Sequence, residues 1–332
     1  MSINKRIIQY EVWKECHNHC KFCFLAKDML HTPDQVKLDG IKNAIKQITD
    51  DINNKKIDGV GIIGGDFWQG EITTEEIRME FFKLINLCFS FLKSGDICEV
   101  WLSATLTIGD QKDLYRALDM YNEMIPDVEK ENKKLWICTS YDTIGRFHSK
   151  KMLDNWEYHM KNIGEKYPKV FKNTSFIITN DLVKKVNSDK FSFKDFEKEF
   201  GTNIYMKTPS HYFEDWEEGK KKFSEIVGDF FLERKKTIEF LQKINESSPG
   251  VLDKIMNNDL RANVLVGHSN SGEFDIMIRD QKDKHKNICS AFGGENTEKA
   301  QIMRCGHEKQ YKCYIDSDKC FMCDLRKILK IL

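Results

Sequence analysis

The chain has 332 residues, of which 52 are lysine or arginine and 52 are aspartate or glutamate, so its formal net charge is zero. That balance argues against a protein whose main task is to neutralise nucleic-acid phosphates, because such proteins are usually basic. No apolar run approaches the ~18 residues of a membrane span, and the N-terminus lacks the apolar segment of a signal peptide. We therefore expect a cytoplasmic protein that does not enter a membrane.

The first two thirds of the chain alternates short β-like runs with amphipathic helical stretches. Strands are predicted at residues 7–13, 60–63, 99–102, 135–139, 176–179 and 204–206, because each run is short, β-branched or aromatic, and bounded by turn residues or charges. Helices are predicted over residues 36–52 and over residues 147–163. A third helix is predicted to begin at a capping box formed by Thr73 and Glu76. Strands separated by such helices imply a parallel sheet, either an open α/β sheet or a partial (β/α)6 barrel.

The pattern changes after about residue 207. Residues 216–258 are predicted to be mostly helical and highly charged, and residues 263–266 and 274–278 resemble two strands around a turn. We therefore predict a first domain over residues 1–210, a helical connection over 211–262 and a cysteine-rich extension over 263–332.

The eleven cysteines are unevenly distributed. Cys16, Cys20 and Cys23 form a C-x3-C-x2-C pattern just after the first predicted strand, and clustered cysteines in a reducing compartment indicate metal more often than disulfides. Three thiolates on one loop can hold three irons of a [4Fe–4S] cubane and leave the fourth iron open. A structural zinc ion would need a fourth ligand, which His17 or His19 could supply.

The triplet, with aromatic Phe22 before its last cysteine and a position after strand one, resembles the motif of the radical S-adenosylmethionine (SAM) superfamily. The resemblance covers about residues 6–210 and implies a partial (β/α)6 barrel of radical SAM type. It implies that the reduced cluster passes an electron to SAM chelated at the open iron. The resulting 5′-deoxyadenosyl radical then abstracts a hydrogen from the substrate.

The second predicted strand ends in Gly64-Gly65-Asp66, which resembles the Gly-Gly-Glu segment that meets the methionyl amine of SAM in the superfamily, with Asp66 in place of the usual glutamate. Glycines let a backbone approach a ligand closely. An ordinary turn is the alternative interpretation. The position after strand three, Ser103-Ala104-Thr105, departs from the Thr-Asn-Gly of relatives and implies no contact.

The fourth predicted strand ends in Ser140-Tyr141-Asp142, followed by Arg146. This segment resembles the superfamily's Ser-x-Asp, which implies that Ser140 lies near the ribose or carboxylate of SAM. The alternative is that Ser140 and Asp142 cap a helix that begins near residue 144. Asn180, after the fifth strand, is a further candidate for a ribose or adenine contact.

Five cysteines crowd the C-terminal tail: Cys289, Cys305, Cys313, Cys320 and Cys323. The tail resembles the shortened SPASM ("twitch") domain of radical SAM maturases, which implies that four of the five ligate one auxiliary [4Fe–4S] cluster. The last four also have a C-x7-C-x6-C-x2-C spacing that a structural zinc ion would accept, and unliganded cysteines are the third possibility.

The resemblance implies an enzyme, a radical SAM oxidoreductase or maturase, that acts on a peptide or protein side chain with flavodoxin or ferredoxin as electron donor. A radical SAM enzyme for a nucleotide or another small metabolite is the alternative within this chemistry. A non-catalytic, zinc-stapled binding module is the alternative of another class. Zero net charge argues against tRNA as substrate, and the sequence identifies no catalytic residue beyond the cofactor ligands.

Overall fold

The computed structural model describes residues 5–20, 32–143, 145–177, 179–207, 240, 243–244 and 262–268. Its core is one parallel sheet of seven strands: β1 (Lys5–Glu11), β2 (Gly59–Ile63), β3 (Glu99–Ser103), β4 (Lys134–Tyr141), β5 (Phe171–Ile177), β6 (Asn203–Lys207) and β7 (Ala262–His268). The α-helices between them are α1 (Asp34–Asn53), α2 (Glu75–Ser94), α3 (Lys112–Met124), α4 (Lys150–Lys166), α5 (Asn180–Asn187) and α6 (Phe193–Phe200). Within these residues, no helix has the length and apolar content needed to cross a membrane.

The strands follow one another across the sheet in the order β6-β5-β4-β3-β2-β1-β7, and every neighbouring pair is parallel. Six strands in chain order are the predicted arrangement. The seventh adds to the far side of β1, where Val264 pairs with Ile7. The strand predicted at residues 263–266 therefore exists, but it joins the main sheet, whereas residues 274–278 lie outside the described residues.

The two faces of the sheet differ in composition because strand side chains alternate. From β1 to β4 the face that meets the helices is mainly apolar and buried, with Ile8, Val60, Val100 and Leu135 on four successive strands. Side chains at the intervening positions point to the opposite, inner face. Each face therefore has its own chemistry.

Strand register arranges the inner-face residues in rows. Gln9, Gly61, Trp101, Trp136 and Phe171 lie side by side in one row. The ring centroids are 6.2 Å apart for Trp101 and Trp136 and 4.8 Å apart for Trp136 and Phe171. On β3, β4 and β5 the next rows toward the carboxyl ends of the strands are mainly polar, first Ser103, Cys138 and Asn173, then Ser140 and Ser175. The inner face therefore changes from aromatic to polar toward the carboxyl edge of the sheet.

The sequence placed β5 wrongly, at residues 176–179, whereas the strand runs over Phe171–Ile177. Its first half was missed because Lys172, Asn173 and Ser175 are polar, although all three are buried. Three helices, α3, α5 and α6, were not predicted. The helix predicted over residues 147–163 begins instead at Lys150, and the Ser149 side chain caps it by accepting a hydrogen bond from the Met152 amide at 3.3 Å.

The capping box predicted at Thr73 and Glu76 is wrong, because the N-cap lies one residue later and the residue three positions after it is Ile77, which cannot return the second hydrogen bond. Thr74 is the N-cap of α2, and its hydroxyl accepts a hydrogen bond from the Ile77 amide at 3.4 Å. The Thr73 hydroxyl is buried and has no hydrogen-bond partner among the described residues. Only one of the two adjacent threonines therefore stabilises the helix.

We expect Thr74→Ala to lower the free energy of unfolding by about 1 kcal/mol, because the substitution removes the N-cap. Thr73→Ala is the matched control and should leave stability unchanged or slightly increased, since it removes a hydroxyl without a partner. Urea unfolding of both variants measures the difference. Equal losses for the two variants would contradict the assignment of the cap.

Candidate active site

The carboxyl ends of parallel strands meet at one edge of a sheet, and most of the predicted site residues collect there. The cysteine loop, defined here as residues 12–20, follows β1. Gly64-Gly65-Asp66 follows β2, Thr105 follows β3, and Asp142 follows β4. Phe22 and Cys23 lie outside the described residues, as do Cys289, Cys305, Cys313, Cys320 and Cys323.

Backbone hydrogen bonds tie the cysteine loop to the segment after β2. The Val12 amide donates to the Ile63 carbonyl at 3.1 Å, the Gly65 amide to the Trp13 carbonyl at 2.8 Å, and the Asp66 amide to the Glu15 carbonyl at 2.9 Å. These bonds continue the pairing of β1 with β2 beyond both strands. The loop that carries Cys16 and Cys20 is therefore positioned by the main chain of its neighbour.

Glycine is required at positions 64 and 65 by this contact. Gly64 has φ +144°, which side-chain-bearing residues rarely adopt, and a Cβ atom there would overlap the Trp13 carbonyl. A Cβ atom at Gly65 would overlap the Glu15 carbonyl. The protein's own cysteine loop thus approaches these glycines closely, which is by itself a reason for glycine at both positions. Whether the segment also meets SAM stays a prediction.

The Asp66 carboxylate joins the loops after β2 and β3. The side chain is completely buried; it accepts hydrogen bonds from the Trp68 amide at 3.2 Å and from the Thr105 hydroxyl. Burial raises the pKa of Asp66, while the bond from Thr105 and the charge of Arg146 act in the opposite direction. Asp66 is therefore a buried carboxylate that connects the loops after β2 and β3 beneath the cysteine loop.

The loop after β3 belongs to the site, although its sequence implied no contact. Thr107 donates to the side-chain oxygen of Asn18 in the cysteine loop and lies 3.3 Å from the Thr105 hydroxyl. Between them, Leu106 is buried with φ +60°, an unfavourable backbone conformation for a bulky residue. Asn155 of α4 holds the Thr107 carbonyl with a 3.0 Å hydrogen bond. Local strain is thus retained to bring two threonines to the site.

Asp142 and Arg146 form the third side of the site. The Asp142 carboxylate accepts hydrogen bonds from the amides of Gly145 and Arg146, the latter at 3.2 Å, and so caps a turn. The predicted alternative, a helix that begins near residue 144, is wrong because α4 begins at Lys150. The Arg146 guanidinium donates to the Thr105 carbonyl at 3.2 Å and lies 3.9 Å from the Cys20 sulfur. The turn therefore delivers a positive charge to one of the predicted cluster ligands.

The two remaining predicted contacts lie along the same edge. Ser140 is half-buried on the inner face of β4, where it pairs with Ser175 of β5. Asn180 is the first residue of α5, which is capped by Thr179, and its side chain lies outside the described part of the structure. Their predicted roles toward SAM remain predictions.

His148 is a site residue that sequence reasoning missed. Its Nε2 atom is 2.7 Å from the Asn18 carbonyl and 3.2 Å from the His19 carbonyl, so a protonated Nε2 donates to the cysteine loop just before Cys20. His19 itself is exposed and has φ +44°. No local pattern marks this contact, because the partners are separated by 130 positions in the chain.

The two described thiols of the cysteine loop, Cys16 and Cys20, suit a cationic ligand. Burial raises the pKa of Cys16 to about 12, with a further increase from the Asp66 carboxylate, and burial also raises the pKa of Cys20. Thiols in such surroundings stay protonated unless a metal supplies positive charge. His17 and His19, the alternative zinc ligands, are both exposed, and the Nδ1 atom of His17 lies 3.6 Å from the Glu71 carboxylate.

Buried donors without partners surround the same loop. The side-chain amide nitrogens of Asn18 and Gln69 and the Nε atom of Arg146 are buried, with no hydrogen-bond partner among the described residues. A buried donor left unsatisfied costs about 1–3 kcal/mol, so three of them near one loop are suited to the acceptor groups of a bound ligand. The donor set therefore fits a metal cluster together with a ligand that carries acceptor groups.

No protein-family model matches the chain, and no curated protein matches its sequence. Among solved structures, the chain is similar to a histidine-tagged protein described as "anSMEcpe with bound AdoMet", with a TM-score of 0.52, 13% identity, and coverage of 98% of this chain and 94% of the other. A structure described as "Crystal structure of FMN-binding beta-glucuronidase from Facaelibacterium prausnitzii L2-6" covers 80% of this chain and 38% of the other at 8% identity. Its TM-score of 0.29 is too low to indicate a shared fold.

The first similarity, at 13% identity, concerns the fold. Together with the parallel sheet, it confirms the predicted α/β fold class, a partial (β/α) barrel.

We expect Gly65→Ala to displace the cysteine loop, because the new Cβ atom would overlap the Glu15 carbonyl. Overpacking of this kind lowers the free energy of unfolding by about 1–3 kcal/mol. It should also lower the iron that anaerobic reconstitution loads per chain. Gly70→Ala is the matched control, since a Cβ atom there would meet only the Arg78 guanidinium, at 3.6 Å. Unchanged stability and iron content in Gly65→Ala would contradict the proposed packing of the loop.

Proposed function

We propose that this protein is a radical SAM enzyme that cleaves SAM reductively at a [4Fe–4S] cluster held by Cys16, Cys20 and Cys23. The observation that carries the proposal is the cysteine loop. Two thiols of the motif lie at the carboxyl edge of a partial barrel, on a loop held by Gly65, Asp66 and Arg146. The partial-barrel fold, shared with an AdoMet-bound structure, supports the same chemistry.

The bound cluster and SAM would supply a 5′-deoxyadenosyl radical, and the protein would position both partners and keep water out. The cysteine thiolates would bind three irons. Arg146 would offset negative charge at Cys20 because its guanidinium lies 3.9 Å from that sulfur. The unpartnered donors on Asn18 and Gln69 are suited to the acceptor oxygens of SAM. Ser140, Asp142 and Asn180 are further candidates along the same edge.

The inner face favours a neutral substrate group. Among the described side chains nearest the carboxyl edge of this face, Ser103, Cys138, Asn173, Ser140 and Ser175 are uncharged and lie next to an aromatic row. A nucleotide substrate would need cations for its phosphates, whereas amide and hydroxyl side chains are suited to peptide groups. We therefore favour a peptide or protein side chain as substrate over a nucleotide or other small metabolite.

The name of the similar structure agrees with this choice, because anSME stands for anaerobic sulfatase-maturating enzyme. We propose a maturase-type oxidoreductase that receives its electron from flavodoxin or ferredoxin in the cytoplasm. Four of the five tail cysteines would hold an auxiliary [4Fe–4S] cluster, with zinc as the alternative.

Replacing Cys16, Cys20 and Cys23 together by alanine should abolish the formation of 5′-deoxyadenosine from SAM and dithionite, because no thiolate of the site remains. Cys98→Ala is the matched control: Cys98 is half-buried, and its thiol donates to the Asp58 carbonyl at 3.2 Å. That variant should keep the wild-type rate. Liquid chromatography of the nucleoside measures both rates, and wild-type turnover in the triple variant would refute the proposal.

The metal content of the same triple variant tests the tail. If the tail holds an auxiliary cubane, the reconstituted triple variant should keep about four irons per chain and remain brown. If the tail binds zinc, the variant should contain one zinc ion and be colourless, since zinc has no redox chemistry. Elemental analysis and electron paramagnetic resonance distinguish the outcomes. One zinc with no iron would overturn the auxiliary cluster and leave the proposal for the first cluster intact.

A further inference from the structure

Lys172 is a buried lysine near the amino edge of the sheet, the edge opposite to the cysteine loop. It lies on β5 at a position that faces the helices, is 6% exposed, and donates a hydrogen bond from Nζ to the Met160 carbonyl of α4 at 2.9 Å. Burial lowers the pKa of Lys172 to about 8. Among the described residues, no carboxylate forms an ion pair with it.

Glycines at two positions leave space for the ammonium group of Lys172. A Cβ atom at Gly164 of α4 would lie 2.6 Å from Nζ, so any larger residue at this position would displace the lysine. Gly201, at the end of α6, has φ +54°, and a Cβ atom there would lie 3.7 Å from the same nitrogen. An ammonium has three donors, and the Met160 carbonyl satisfies one. A buried cation without a counter-ion is unfavourable, so a charge partner is missing from this site.

An open cavity of about 430 Å³ lies beside this ammonium. Gly201 lines it, as do Lys194, Glu197 and Lys198 of α6 and Lys172 itself. Three of these side chains are cationic and one is anionic, so the lining carries excess positive charge. The cavity also includes Phe171 and Asn203, the first residues of β5 and β6. It therefore lies at the amino edge of the sheet, away from the cysteine loop.

We propose that this cavity is a binding site for a small phosphorylated molecule, whose phosphate supplies the missing counter-ion of Lys172. The side chains around it favour phosphate over carboxylate. Lysines bind phosphates as point charges, and the excess of three lysines over one glutamate in the lining matches the double negative charge of a phosphate better than the single charge of a carboxylate. The volume falls in the range of small-molecule sites, about 300–1,000 Å³, and exceeds the space that a bare phosphate fills.

The test is a ³¹P nuclear magnetic resonance titration of the full-length, anaerobically purified protein with glycerol 3-phosphate and with inorganic phosphate. Sodium chloride keeps the ionic strength constant. We expect saturable line broadening of the wild-type sample. Lys172→Met should weaken binding at least about tenfold, as expected when a charged hydrogen-bond partner is removed. Lys166→Met is the matched control, because Lys166 is an exposed lysine of α4 that pairs with Asp119, and it should bind like wild type.

Lys172→Met could fail to fold, so the double variant Lys194→Gln with Lys198→Gln provides a second test. Both of these lysines are exposed on α6, and their replacement should not affect folding. The double variant should keep the wild-type circular dichroism spectrum and also bind more weakly. Absence of saturable binding to the wild type, or wild-type affinity in the folded double variant, would overturn the proposal. Tighter binding of succinate than of glycerol 3-phosphate, measured by calorimetry, would overturn the assignment to phosphate.

Discussion

The proposed active site depends on the backbone hydrogen bonds that continue the pairing of β1 with β2 past the ends of both strands. The cysteine loop has no regular secondary structure, so its position comes from its neighbours. The amides of Gly65 and Asp66 hold the first half of the loop through the Trp13 and Glu15 carbonyls. The second half is held by Arg146, near Cys20, and by His148, at the Asn18 carbonyl. The segments that follow β2 and β4 thus define where the thiols lie.

Sequence periodicity and motif spacing predicted the parts of the fold that are locally encoded. The strands that begin at Gly59 and Glu99 are apolar runs with turn residues at their ends, and the glycines at 64 and 65 are visible as a pair. β5 was mispredicted because Lys172, Thr174 and Ser175 are polar yet buried. Burial of such residues depends on partners elsewhere, and no pattern within the strand reveals those partners.

The site was predictable to a similar degree. The cysteines and Asp142 were predicted as site residues from the resemblance of their motifs, and the cap formed by Asp142 serves a turn and not a helix. Thr105 and His148 were missed for one physical reason. Each contacts a residue that is distant in sequence, Asp66 for Thr105 and Asn18 for His148. Only the assembly of the sheet brings these pairs together, so a pattern within one segment of the sequence cannot reveal them.

The pairing of β7 with β1 has a consequence for the order in which the molecule is completed. Ile7 lies between Gly59 on one side and Val264 on the other, so β1 is an interior strand whose second neighbour is encoded far along the chain. During synthesis β1 leaves the ribosome first, and its outer edge, with the apolar Ile7 and Ile8, stays unpaired until β7 has been made. Such an edge is open to wrong pairing, and contacts of long sequence separation form slowly. The segment that leads into the cysteine loop is therefore synthesised before its partner strands and is among the last to reach its final surroundings.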